Sequence, residues 1–149
     1  YLKDPLLLGE TRFVMIEIPN HADPDFTKET LFRIKRGGLV PMISHPERCS
    51  LLTVDQKKPP FWLRFIKTSW RKKSAEQEGT SLLDYLKDIG CAFQANLGSF
   101  AGWYGPDART SAEYLQQNNF FTHFGTDAHS VRGITRLPAM RPGILNAAS

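Results

Sequence analysis

Leu39-Val40-Pro41-Met42-Ile43-Ser44-His45-Pro46-Glu47-Arg48 reads as a short apolar strand that stops on a histidine. Gly37-Gly38 lies just before it and ends a helix. That helix starts at Asp23-Pro24, a capping oxygen followed by a ring that fixes φ where no donor is needed, and is expected to run to about Lys35. Upstream, Arg12-Phe13-Val14-Met15-Ile16-Glu17-Ile18 reads as a buried strand with one acid near its end. Downstream, Thr80 or Ser81 caps a helix through Ile89 that Gly90 closes, and Cys91–Asn96 is a strand. Asp107–Asn118 is the next helix, and Phe120–Thr126 is a strand ending at Asp127. Strands alternating with helices in this way argue for α/β units and a mainly parallel sheet.

The chain has 149 residues, 41% apolar and 23% charged, enough for one domain with a core. It contains no apolar run long enough to span a bilayer. Tyr1-Leu2-Lys3-Asp4-Pro5 lacks a signal-peptide pattern and an initiator methionine, so residues are expected upstream. Two cysteines, Cys49 and Cys91, make no disulfide scaffold and suit reduced thiols in the cytoplasm. The net charge of +4 comes from one segment. Lys57, Lys58, Arg64, Lys67, Arg71, Lys72 and Lys73 fall in a stretch without an acid, and the rest of the chain holds 12 basic against 15 acidic residues. A nucleic-acid surface is therefore the weaker reading, since no binding module accompanies the basic stretch.

Glu17, His45, Asn96 and the pair Asp127 and His129 all fall at or just after the carboxy ends of expected strands. Active sites of α/β barrels assemble at that face from several strand ends. Carboxylates and imidazoles together suit zinc, manganese or iron. Asp127-Ala128-His129 alone is a weak signal, because an Asx-turn followed by a surface histidine looks the same. His45-Pro46-Glu47-Arg48 is more specific: the imidazole can ligate while the guanidinium forks onto phosphate oxygens. Its bland alternative is a turn carrying a Glu47–Arg48 surface pair. Cysteine-dependent phosphatase chemistry is excluded, because it needs an arginine six residues after the nucleophile, where Cys49 is followed by Asp55 and Cys91 by Leu97.

Ile16-Glu17, His45-Pro46-Glu47-Arg48, Gln94-x-Asn96-x-x-Ser99 and Thr126-Asp127-Ala128-His129, in this order, resemble the polymerase and histidinol phosphatase (PHP) superfamily. Within it they are most similar to the bacterial metal-dependent tyrosine-protein phosphatases of capsule and exopolysaccharide synthesis. The resemblance covers residues of about 10–50 and 80–140. It implies an α/β fold, a partial distorted (β/α)7 barrel, with residues 1–149 forming the carboxy-terminal portion of a single domain. It implies metal ligation by Glu17, His45, Asp127 and His129, catalytic roles for Arg48 and Asp127, and divalent ions, commonly manganese, with iron or zinc as alternatives. His21 and His123 match no ligand position, and Asn96 and Ser99 shape a loop.

The family opens with an Asp/His-x-His element on its first strand, and nothing like it precedes Glu17. The metal cluster is accordingly expected to be incomplete in this chain, with the remaining ligands coming from an upstream segment, from another chain or from nowhere. The implied substrate is a phosphotyrosine protein, including a membrane-associated tyrosine kinase of polysaccharide export. The implied location is the cytoplasm, peripheral to the inner membrane. The competing reading is a catalytically impaired fragment that acts as a binding module. A basic insertion at about 52–79 places Phe61, Trp62, Phe65, Ile66 and Trp70 on one side of a helix and Arg64, Lys67 and Arg71 on the other. Such a helix either packs on the domain or docks on a membrane surface or an acidic partner.

Overall fold

The structure is a computed structural model and describes residues 5–53 and 81–130. Almost all of the 52–79 insertion, including the segment expected to form a basic helix, lies outside the described residues. Four strands are present among the described residues: β1 Phe13–Ile16, β2 Val40–Ser44, β3 Ala92–Asn96 and β4 His123–Gly125. All neighbours are parallel, in the order β1-β2-β3-β4. The helices are α1 Pro24–Arg36, α2 Leu82–Asp88, α3 Leu97–Phe100 and α4 Pro106–Gln117.

The expected signals operate as physics requires. The Asp23 carboxylate accepts from the Phe26 N–H at 2.7 Å, Pro24 opens α1, and Arg33, Lys35 and Arg36 face the negative end of its dipole. Gly38, at φ 85°, turns the chain into β2, and the Arg12 guanidinium holds its carbonyl. Pro41 is tolerated inside a central strand by register. The Val40 N–H serves β1, so the nitrogen of Pro41 points towards β3, whose pairing begins only at Met42 opposite Ala92. Ser81 caps α2 by accepting from the Asp84 N–H at 3.1 Å. The last strand is shorter than expected. Phe120 packs in the core instead, 6.1 Å from the Phe93 ring, and Thr122 bonds β3 through its backbone and its hydroxyl. The short helix α3 has no counterpart among the elements expected from the sequence.

The helices cover one face of the sheet. Leu31 and Ile34 from α1, Leu83 and Leu86 from α2, and Leu115 from α4 pack with Val14, Ile43 and Phe93. The other face carries Phe13, Met15, Met42, Ser44, Gln94 and His123, which the register places on one side. Phe13 and His123 belong to opposite edges of the sheet, three strand spacings apart, or about 14 Å if the sheet were flat. Their rings nevertheless meet edge to face with centroids 5.0 Å apart. The sheet is therefore strongly curled, with this face concave. The described strands form an open arc rather than a closed barrel.

Candidate active site at the carboxy ends of the strands

His45 leaves β2 in the left-handed region, φ 36° and ψ 55°. Its N–H still extends the ladder, donating to the Gln94 carbonyl at 2.8 Å, while Pro46 starts a tight 3-10 turn over Pro46–Arg48. Asp127, just past β4, is also left-handed, at φ 51°. Positive φ is uncommon outside glycine, and strained backbone concentrates at functional sites. Two of the four residues implied as metal ligands, His45 and Asp127, are held this way.

The side chains converge. His45 Nε2 lies 3.7 Å from a Glu17 carboxylate oxygen and 3.9 Å from Asp127 Oδ2. His129 Nδ1 lies 3.7 Å from Asp127 Oδ1 and 2.9 Å from the Asp127 carbonyl oxygen. A carbonyl only accepts, so that contact assigns the proton to Nδ1 and leaves the Nε2 lone pair of His129 for another partner. His45 is buried, whereas the Glu17 and His129 side chains are 70% and 85% exposed, so the cluster opens to solvent on two sides. Among the described residues, His21 is exposed and His123 is engaged by Phe13 and the Thr122 hydroxyl, away from the cluster.

The guanidinium of Arg48 donates to Asp127 Oδ2 at 2.9 Å and lies 4.1 Å from the centroid of the Tyr104 ring. The surface pair with Glu47 does not form. Glu47 turns inward, 1% exposed, where one oxygen accepts the Asn96 N–H at 3.0 Å and the Ser99 hydroxyl at 2.7 Å. Burial pushes its carboxyl pKa up, opposed chiefly by the Ser99 hydrogen bond. Its other oxygen, Oε2, has no hydrogen-bond partner. Asn96 also caps α3, accepting from the Gly98 N–H at 2.8 Å. The loop-shaping expectation for Asn96 and Ser99 thus takes a definite form: both tie the turn after β3 to the turn after β2. Gln94 closes the floor beside Gly125, where any Cβ would collide with the Gln94 amide. Tyr104 and Gln94 were missed as site-shaping residues. The glycines at 98 and 125, which make room for them, are the signal in the sequence that points to them.

Two donors bound at about 2.1 Å to a tetrahedral ion stand about 3.4 Å apart, so the separations around His45 are close to those of a ligand shell. Imidazole with carboxylates is also the right donor chemistry for manganese, iron or zinc. The set fits such an ion in kind and in pair spacing. Among the described residues, however, no three such groups surround one point.

No family model matches the chain. It is 26% identical over 127 residues to the tyrosine-protein phosphatase YwqE of Bacillus subtilis (strain 168), covering 85% of this chain and 41% of YwqE. CapC of Staphylococcus aureus, provisionally named a tyrosine-protein phosphatase, is 24% identical over 139 residues, covering 93% of this chain and 44% of CapC. The chain thus spans less than half the length of these curated relatives. Among solved structures it resembles one from a study of YwqE and of CpsB from Streptococcus pneumoniae, described as unique metal-dependent tyrosine phosphatases. The TM-score is 0.60 at 23% identity, covering 96% of this chain and 54% of that one. That likeness establishes the α/β fold, and the two sequence relatives bear out the resemblance read from the motifs.

Proposed function

We propose, from the similarity to these tyrosine phosphatases, that the chain carries a metal-dependent phosphomonoester hydrolase site acting on phosphotyrosine protein. One observation carries the reading. Strand ends far apart in sequence bring a carboxylate, an imidazole and a second carboxylate into a chain of contacts under 4 Å, with a guanidinium fixed beside them. Glu17, His45, Asp127 and His129 are the proposed ligands of divalent ions, manganese first and iron or zinc as alternatives. A bound ion would supply Lewis acidity and lower the pKa of a water.

The rest follows from the protein's own groups. Arg48 presents parallel donors to two phosphate oxygens. Asp127 holds that guanidinium in place until the anion competes for it. The His129 proton, retained on Nδ1 by the backbone carbonyl, keeps Nε2 available. Glu47 fixes the turn that carries His45 and Arg48. The four strands are proposed to be an arc of a distorted (β/α)7 barrel. Sequential order supports this, since doubly wound sheets reverse direction at a switch point, and so does the curl that brings Phe13 to His123. Two buried free thiols support a reducing, cytoplasmic setting. No helix among the described residues is long and apolar enough to cross a membrane. The proposed partner is a tyrosine kinase of polysaccharide export.

The test combines Mn²⁺ binding, followed by electron paramagnetic resonance, with phosphate release from a phosphotyrosine peptide. Bound Mn²⁺ should fall in His45→Ala and Asp127→Asn, and release should fall with it. Release that survives EDTA, or Mn²⁺ binding unchanged in both variants, would refute the reading.

A further inference from the structure

Arg48 is a long side chain, about a third exposed, and an ion pair alone leaves such a group poorly oriented. A second contact restrains it. Its Cζ lies 4.1 Å from the centroid of the Tyr104 ring, so the guanidinium is in cation–π contact with that ring. Tyr104 is itself held: its hydroxyl oxygen accepts from the Asn96 amide at 3.3 Å. Space for the ring depends on Gly98, because a Cβ there would stand 2.8 Å from Tyr104 Cε2. The backbone of Asn96 is in turn bonded to Glu47, the residue next to Arg48. A closed circuit, Glu47 to Asn96 to Tyr104 to Arg48, therefore joins the turn after β2 to the turn after β3.

We infer that Tyr104 is a positioning residue for the phosphate-binding guanidinium. The inference rests on the assignment of Arg48 to the phosphate made above. Contact with an aromatic ring leaves the edges of the guanidinium free, and the edges carry its five N–H donors. A salt bridge, by contrast, occupies donors. When phosphate displaces the Asp127 carboxylate, the ion pair is lost but the ring contact remains. Tyr104 thus keeps the guanidinium in place while its donors exchange one anion for another. Pre-arranging the group in this way removes part of the ordering cost of binding.

Inorganic phosphate is titrated into the full 149-residue chain with Mn²⁺ present, by isothermal titration calorimetry. Tyr104→Leu should weaken phosphate binding about 3- to 10-fold, the range a partly exposed cation–π contact supports. Gly98→Ala, which displaces the ring without removing it, should act in the same direction. Tyr104→Phe, which keeps the ring, should recover affinity to within about twofold. The Arg48 Nε–Hε resonance in the free protein should shift in Tyr104→Leu and not in Tyr104→Phe, a response that a general loss of stability does not produce. Arg48→Ala should abolish binding. If Arg48→Ala binds as the wild type does, or if the wild type shows no phosphate response, the assignment of Arg48 is wrong and the inference falls with it. If Arg48→Ala loses binding while Tyr104→Leu and Gly98→Ala keep it, the inference alone is overturned. Equal losses in Tyr104→Phe and Tyr104→Leu would assign the effect to the hydroxyl and overturn the role of the ring. Should Tyr104→Leu fail to fold, Gly98→Ala and the phenylalanine variant decide.

Discussion

Replacing Glu47 by alanine removes a buried carboxylate oxygen that receives two hydrogen bonds, from the Asn96 N–H at 3.0 Å and the Ser99 hydroxyl at 2.7 Å. Both donors would then be left in a site with little water. Charge-assisted hydrogen bonds contribute about 1.5–3 kcal/mol each. Against this stands the desolvation that pushes the Glu47 pKa up, which means that part of the gain is already offset in the native protein. A net loss of about 3 kcal/mol is the resulting expectation, and at about 2–4 °C per kcal/mol for a domain of this size the melting temperature should fall by about 6–12 °C. Glutamine keeps an acceptor at Oε1 and removes the charge, so Glu47→Gln should stay within about 1 kcal/mol of the wild type. Thermal and urea unfolding followed by circular dichroism would read both. If alanine and glutamine shift the midpoint equally, or if alanine shifts it by less than about 2 °C, Glu47 does not brace the two turns.

Arg48→Lys should lower turnover about 10- to 150-fold with bound metal unchanged, since one point charge replaces a paired donor worth about 1.5–3 kcal/mol; kinetics within twofold of wild type would return Arg48 to a surface role. Gly125→Ala should destabilise the chain by about 1–3 kcal/mol, because its Cβ collides with the Gln94 amide, and Gln94→Ala in the same chain should relieve much of that loss, as a double-mutant cycle in urea would report. Burial pushes the Cys91 thiol from an ordinary 9.0 up to about 11. The folded state therefore holds that proton longer than the unfolded chain does, so the contribution of the neutral thiol is complete below about pH 9 and is lost as pH rises towards about 11, by about 2–3 kcal/mol. Urea midpoints of wild type and Cys91→Ala should converge or cross over that interval, and parallel curves would count against it.

The parts of the fold that could be read from sequence are those governed by neighbours in the chain. Asp23-Pro24 and Gly37-Gly38 bound α1 because capping and left-handed turns are local events. His45 and Asp127 were recognisable because each ends a strand, and parallel strands deliver their ends to one face. What escaped was set by distance. Glu47 is adjacent to Arg48 in sequence, and a surface pair was a fair alternative; only the arrival of Asn96 and Ser99 draws its carboxylate inside. The partner that Arg48 takes instead, Asp127, lies just past β4. Tyr104 follows a four-residue helix too short to leave a periodic pattern, so nothing in the spacing assigned its ring to Arg48. The shortening of β4 has the same origin, because Thr122 uses its hydroxyl on β3 where an ordinary strand residue would offer only backbone.

The ring contact between Phe13 and His123 also predicts an order of events in folding. It joins β1 to β4, and those strands become neighbours across the concave face only after β2 and β3 stand between them in register. Pairings of such long sequence separation are the slow ones, because loop closure must be completed before the contact returns anything. The pair is thus a latch that engages last. During refolding, protection of backbone amides in β2 and β3 should precede the nuclear Overhauser contact between the two rings. Phe13→Ala should accordingly speed unfolding while leaving the refolding rate nearly unchanged, the signature of a contact absent from the transition state.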